Sequence, residues 1–464
     1  MYRCDLMKDC TLILLQRGIS IMAKEQVKNR LEQDSIGKLM LELCTQTTFS
    51  IMIYNIYTIT DTFYVSKGIG SVASGAIGVF SPVLLLVNGI SSTLGTGSAS
   101  TISRRLGERN PAGGKKVVGC MMWLWALCSL TITITGLVFL KPLLQLLGCT
   151  SEIYPYAVEY GQIMLIGTII STGFSGIMRA EGDVFYSTIQ WCCPVIINLL
   201  LDPLFIYSFQ MDISGAAIAT LIAQLFSAGI SIYYFFVRKK TPCRVTLGDI
   251  KWSGQACKEI LYIGLPAFLN SLGSSLAGIV GNQILGQIGG TQAISTYTLI
   301  SRIQSFLSTP FFGIMQGIQP MLGFDWGRQR FERVKRTVSY AIFSGFVYGC
   351  IIAVCIYWGA GDVIKLFSAN AEIIAMGKSA LQIICCSLVI GGIMPVIQAY
   401  FLALGYGKKV LLLSLESIFI IRLPLLLAAW WSNSLDIVWW LLAFAEWLIA
   451  GLAVYNYKIE RKGQ

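Results

Sequence analysis

Twelve long apolar runs, separated by short polar connections, leave this chain few ways to fold. They fall at roughly 38–60, 72–100, 117–140, 153–179, 187–209 and 214–237, and again at roughly 259–285, 293–322, 337–358, 372–402, 410–430 and 435–457. A helix of about 20 apolar residues spans the hydrocarbon of a bilayer, and there the backbone must satisfy its own polar groups. The runs do not alternate with period two, so helices are predicted rather than barrel strands. Only 13% of residues are charged and the mean hydropathy is +0.67. A soluble domain carries about a quarter of charged residues, so an all-α integral membrane protein is expected throughout.

The net charge of +11 does not point to nucleic acid, because of where the charges sit. Lys and Arg cluster in alternate connections: Arg104, Arg105, Arg109, Lys115 and Lys116; Arg238, Lys239, Lys240 and Arg244; Arg328, Arg330, Arg333, Lys335 and Arg336; Lys408 and Lys409. The intervening connections hold only Lys67, Lys141, Lys365 and Lys378. This positive-inside pattern predicts cytoplasmic termini and basic loops, an even number of spans and residence in the cell (inner) membrane. Residues 1–35 read as a cytoplasmic tail, whose first 21 resemble a loose upstream start before Met22 more than a signal peptide. Residues 458–464 read as a second tail.

The two series of runs look alike. Gly107 corresponds to Gly327, Gly182 to Gly405, and Cys44 to Pro266, all offset by 220 to 223 residues. A duplicated unit of six spans follows, with lobes at 36–237 and 259–457 and a linker at 238–258. An even span count makes both halves enter from the same side, the parallel-repeat arrangement of some transporters.

Chemistry in such a chain is sought where polarity interrupts the apolar runs. Asn198 and Asp202 stand in Cys193-Pro-Val-Ile-Ile-Asn-Leu-Leu-Leu-Asp-Pro203. A carboxylate inside a membrane costs at least a few kcal/mol and marks a functional site by default. A spacing of four puts both residues on one helix face, and Pro203 withholds the N–H that the Leu199 carbonyl would accept. Carboxylate, amide oxygen and free carbonyl suit a small hard cation or a proton. Asp61, near the outer end of the first run, approaches the same side of the same half. Two carboxylates in a poorly hydrated pocket require either a shared proton or a bound cation such as Na+. Thr220 in the next run offers a hydroxyl, although a helix threonine bonded back to its own backbone is the plainer reading.

Other chemistry is excluded. Histidine is absent, which removes histidine metal sites and histidine proton relays. The 14 cysteines form no C-x-x-C, and most sit in apolar runs as small hydrophobes. Gly377-Lys-Ser379 lacks the leading glycine of a phosphate loop, Glu372 standing in its place. No nucleophile elbow is present, so no enzyme and no cofactor are expected.

These residues resemble the MATE (multidrug and toxic compound extrusion) transporters of the flippase superfamily, closest to the bacterial MepA-like branch. The resemblance rests on Thr60-Asp-Thr-Phe-Tyr-Val65, Gly95-x7-Ser103-Arg-x-Leu-Gly107, Arg179-Ala-Glu-Gly-Asp183, Asn198-x3-Asp-Pro203, Gly215-Ala-Ala-Ile-Ala-Thr220, Gly264-Leu-Pro266, Ser301-Arg302, and Gly405 with Arg422-Leu-Pro424. It implies twelve helices in two pseudo-symmetric six-helix bundles, a central V-shaped cleft and alternating access. It places the coupling ion, Na+ or H+, on Asp61, Asn198, Asp202 and Thr220. The implied activity is export of organic cations or amphiphilic drugs against that ion. The implied partners are drug-like molecules and lipid, with a monomer as the working unit. Export or flipping of a lipid-linked oligosaccharide is the alternative, and Arg302 and Arg422 are the cations it would use.

The pattern departs at Cys44, where a proline is usual. The seventh run holds no acid after Glu259, which argues against a coupling site of that kind in the second half. The polar and aromatic residues Gln283, Tyr297 and Gln398, with Glu416 as local acid, are the expected substrate contacts there. Arg302 and Arg422 are expected to bond loop carbonyls, and Trp430, Trp431, Trp439 and Trp440 to form an interfacial belt.

Overall fold

A computed structural model describes residues 34–462, apart from 70, 148, 150, 171–173, 239–240, 366–369 and 433. Most of the expected amino-terminal tail lies outside these described residues. Among them the backbone is helical, without a strand. Among the described residues, nine helices are long and apolar enough to cross a membrane. With the first helix, the interrupted fourth and the eighth, they make twelve spans.

The first six are Ile36–Gly68, Ser71–Gly107, Pro111–Val138, Tyr154–Gly167 continued by Ser175–Ala180, Val184–Ser208 and Asp212–Val237. The second six are Gly254–Gly290, 291–327, Phe331–Lys365, Ala371–Leu388 continued by Ile393–Leu404, Gly407–Ser432 and Leu435–Lys462. The last helix thus extends to Lys462, inside the expected carboxy-terminal tail. Local chemistry sets several ends. Asn110 accepts from the Gly113 N–H at 2.8 Å, just before Pro111, and so caps the third span. Asn370 does the same for Glu372 at 2.9 Å at the start of the tenth. Gly290, with φ 64° and ψ −158°, breaks the helix between the seventh and eighth spans in a conformation open to glycine.

The duplication is written into the backbone. Arg109 and Gln329, 220 residues apart, both adopt left-handed φ, at 57° and 60°. Each ends a turn closed by the same bonds: Asn110 N–H to Arg105 O, and Arg330 N–H to Asp325 O, both 2.9 Å. Gly182 and Gly405 form the second matched pair, with φ of 85° and 83°. The residues that follow them donate to Met178 O and Phe401 O, both at 2.9 Å. Replacing Gly405 with alanine should lower stability by about 1–2 kcal/mol, because a Cβ crowds the left-handed conformation. A thermal melt in detergent checks it.

The chain sorts into two compact units, and the first span serves both. Met40–Asn55 belongs to the second unit with Leu261 onward, while Ile56–Ile260 forms the first. Close approach of glycine explains these attachments. In the first unit, a Cβ on Gly97 would lie 2.0 Å from the Ile260 carbonyl oxygen. In the second, a Cβ on Gly317, its repeat mate, would lie 2.8 Å from the Cys44 Cα. Thr47 Oγ1 donates to Gly313 O at 2.8 Å, and Asn55 Nδ2 donates to Thr309 Oγ1 at 2.9 Å. Cys44 itself is buried, and its thiol faces the Ile314 carbonyl. The position where the family uses proline is therefore a packing site.

Two apolar clusters fill the first unit. One gathers Ile102, Met121, Ile177, Tyr234 and Phe235; the other gathers Phe80, Leu144, Leu165 and Ile213. In the second unit, Phe311, Ala360 and Leu381 form one cluster, and Leu285, Ile300 and Trp439 another. Large apolar side chains also face outward, Leu200 at 67% and Trp431 at 87% exposure, as lipid contact requires. Trp430 and Trp440 are exposed too, but Trp439 corrects the expected belt. It is buried, stacked on Tyr297 with ring centroids 6.2 Å apart, because its helix turns that face to the core.

Candidate functional site

The fifth span is turned inside out relative to a soluble helix. Ser187, Gln190, Asn198 and Asp202 are buried, while Ile196, Leu199 and Leu200 face outward. The spacings of three, eight and four keep these polar groups on one stripe. The sixth span answers them in antiparallel order. Gln190 Nε2 donates to Ser231 Oγ at 2.8 Å, and Asn198 Nδ2 donates to Thr220 Oγ1 at 3.2 Å. The plainer reading of Thr220, bonded to its own backbone, gives way to this bond across helices.

Asn198 and Asp202 are each 1% exposed. The Asn198 amide spends its N–H on Thr220, and its Oδ1 accepts no hydrogen bond among the described residues. A buried acceptor without a bond costs about 1–3 kcal/mol, and this one lies one turn from a buried carboxylate. Directly after Pro203 the helix widens into a π-turn, Leu204–Ser208, of the sort found at functional sites. Three of the four expected coupling residues, Asn198, Asp202 and Thr220, thus share the seam of the fifth and sixth spans. The backbone of Asp61 is helical, but its side chain, like that of Phe63, lies outside the described residues.

At the basic end of the same seam, a second group of polar residues is buried. Glu181 sits in the turn after the fourth span, 2% exposed. Tyr234 donates to its Oε2 at 2.8 Å, and Cys243 faces it from the linker. Arg238 pairs with Asp183 and lies over the Tyr186 ring at 4.2 Å. Burial pushes the Glu181 carboxyl up from 4.5 to about 7, against the bonds from Tyr234 and Cys243. Below pH 4.5 that carboxyl is protonated whether the chain is folded or not. Between there and about 7 only the folded chain keeps the proton, so stability falls as pH rises. The loss is on the order of 3 kcal/mol. Glu181→Gln should flatten this dependence and raise the melting temperature more at about pH 8 than at about pH 5.

In the second half the expected substrate contacts divide. Tyr297 and Gln398 line a cavity within the second unit, whereas Gln283 is exposed and Glu416 is half-buried outside its wall. Gln398 Nε2 donates to Ser414 Oγ at 3.4 Å. Arg302 is exposed. Arg422 does not bond loop carbonyls as expected. Its Nη2 donates to Oε1 of Glu446, in the middle of the twelfth span. Sequence reasoning passed over Glu446, although it is a lone carboxylate deep in an apolar run, the same mark that singled out Asp202.

Two related six-span units in one membrane-embedded chain, with buried amide and carboxylate on a prolyl-interrupted helix, define a transporter built from parallel repeats. The chain belongs to the MatE family, the MATE transporters, whose profile matches residues 47–204 and 266–427. It is similar to the multidrug export protein MepA of Staphylococcus haemolyticus, 25% identical over 427 residues that cover 91% of this chain and 94% of the relative. MepA of Staphylococcus aureus strain MRSA252 is 25% identical over 423 residues, covering 90% and 93%. Among solved structures, an outward-facing multidrug resistance MATE transporter matches with a TM-score of 0.87 and 26% identity, covering 92% of this chain and 97% of that one. The fold expectation, all-α with twelve spans in two six-helix units, is met.

Proposed function

We propose that this protein is a secondary active multidrug exporter that moves organic cations or amphiphilic drugs out of the cell against Na+ or H+. The observation that carries the reading is the buried Asn198–Asp202 pair, with an amide oxygen left open one turn from a carboxylate. MATE membership and the multidrug exporters it resembles supply the cargo class. Asp202 and Asp61 carry the coupling ion, and Asn198 and Thr220 complete its shell. Neutralising the carboxylates favours one packing of the fifth and sixth spans over another, and the drug site follows that equilibrium. The repeated lobes are 36–237 and 259–457 in sequence, joined by the linker 238–258, with Met40–Asn55 packed in the second unit. The protein works as a monomer in the cell membrane, with termini and basic loops in the cytoplasm, and it catalyses no covalent chemistry.

The test is ethidium efflux from energised cells that make the protein, in sodium medium and with potassium in its place. Efflux that depends on sodium assigns Na+. Efflux that survives the exchange but collapses with the proton gradient assigns H+. A well-expressed protein that moves no ethidium in either medium defeats the cation-export reading in favour of a dedicated cargo.

A further inference from the structure

The second unit contains a cavity of about 390 Å³ that the coupling site does not use. Its wall is built from the seventh, eighth, tenth, eleventh and twelfth spans. Asn270, Gln304 and Gln398 give it amide groups, Tyr297 and Phe312 give it aromatic faces, and Arg422 and Glu446 give it charge. That volume falls in the range of small-molecule sites, which are about 300–1,000 Å³.

The ion pair is the informative feature. Arg422 and Glu446 touch, both line the cavity, and their side chains stay 29% and 27% exposed. Charges in mid-span are costly, and the cost falls where the pair borders a polar space that can solvate it or hold a polar ligand. This pair opens onto one. Its charges sum to zero, so the cavity selects neither a bare cation nor a bare anion. It instead presents a guanidinium fork and a carboxylate side by side. A ligand with a carboxylate and an ammonium at one end complements that pair in antiparallel alignment, the fork binding the carboxylate in two-point fashion. The ring of Tyr297, held by its stacking on buried Trp439, offers a fixed aromatic face for the remainder.

We propose that this cavity is a binding site for small aromatic zwitterions of the amino-acid type, carboxylate on Arg422 and ammonium on Glu446. The inference rests on the exporter reading only for the direction in which the ligand would be carried. Its recognition chemistry is independent of Asp202.

Equilibrium binding to the purified protein in lipid nanodiscs tests it with three indoles: tryptophan, tryptamine, which lacks the carboxylate, and indole-3-propionate, which lacks the ammonium. Tryptophan should bind at least about tenfold more tightly than either. Because a single neutral variant leaves one charge stranded and risks misfolding, the key variant is the double Arg422→Gln/Glu446→Gln. It should stay monodisperse and lose the preference for tryptophan. The charge swap Arg422→Glu/Glu446→Arg should restore it. Equal binding of the three indoles to the wild type, or a preference for tryptophan that survives the double variant, overturns the proposal. Ethidium efflux is read separately. Tryptophan preference without ethidium efflux upholds this site and removes the cation-export reading, and efflux without the preference does the reverse.

Discussion

Asp202→Asn is expected to bring efflux down to that of cells lacking the protein, while the full-length chain accumulates in the membrane at the wild-type level. Asparagine has the shape of aspartate, so the fifth span loses no volume and no packing against the sixth. What disappears is a charge held at 1% exposure. Removing a buried charge relieves desolvation, so the melting temperature should hold or rise. Transport should suffer, because an amide neither ionises to release a proton nor neutralises a sodium ion. A loss of at least about 100-fold is expected, equivalent to about 3 kcal/mol of coupling. Asn198→Ala is the milder companion. It removes the open acceptor and the bond to Thr220 but keeps the charge, and a partial loss should follow. Drug efflux assays with membrane immunoblots measure both variants. Wild-type efflux by Asp202→Asn would remove this carboxylate from the coupling mechanism.

The second large effect is structural. Gly97→Val should abolish recovery of monodisperse protein. The first side-chain carbon would lie 2.0 Å from the Ile260 carbonyl oxygen and 2.9 Å from its carbon, and both are backbone atoms that no rotamer change can move aside. Overpacking of a tight contact costs about 1–3 kcal/mol when side chains can give way, and more when they cannot. Even Gly97→Ala should lower stability by about 3 kcal/mol. Gly229 supplies the control of opposite sign. It is helical, exposed and has nothing within 4 Å of its added carbon, so alanine there should stabilise by about 0.5–1 kcal/mol. Fluorescence-detected gel filtration and thermal melts distinguish the three variants.

The parts of this fold that were legible in the sequence share one property: they are local or periodic. Apolar runs, the 220-residue offset and the stripe of Asn198 and Asp202 are all patterns within a span or its copy. The matched left-handed turns at Arg109 and Gln329 follow directly from that offset. What escaped is pairing between distant spans. Arg422 is expected from the sequence to bond loop carbonyls, while its partner Glu446 stands 24 residues on, beyond a connection. Trp439 looked like its exposed neighbours because composition does not say which way a helix face turns. Nor does the periodicity of the first span reveal that its inner segment packs in the second unit, because both units offer an apolar surface.

That divided first span bears on how such a chain arose. Gly313 and Gly317 are closed by Thr48 and Cys44 from the other repeat, and Gly97 is closed by Ile260 from beyond the linker. A six-span ancestor with this packing leaves grooves that its own chain does not fill, and a second copy is what fills them. The duplication thus amounts to an exchange of segments within one polypeptide, and either half made alone would be left with the groove that the other fills.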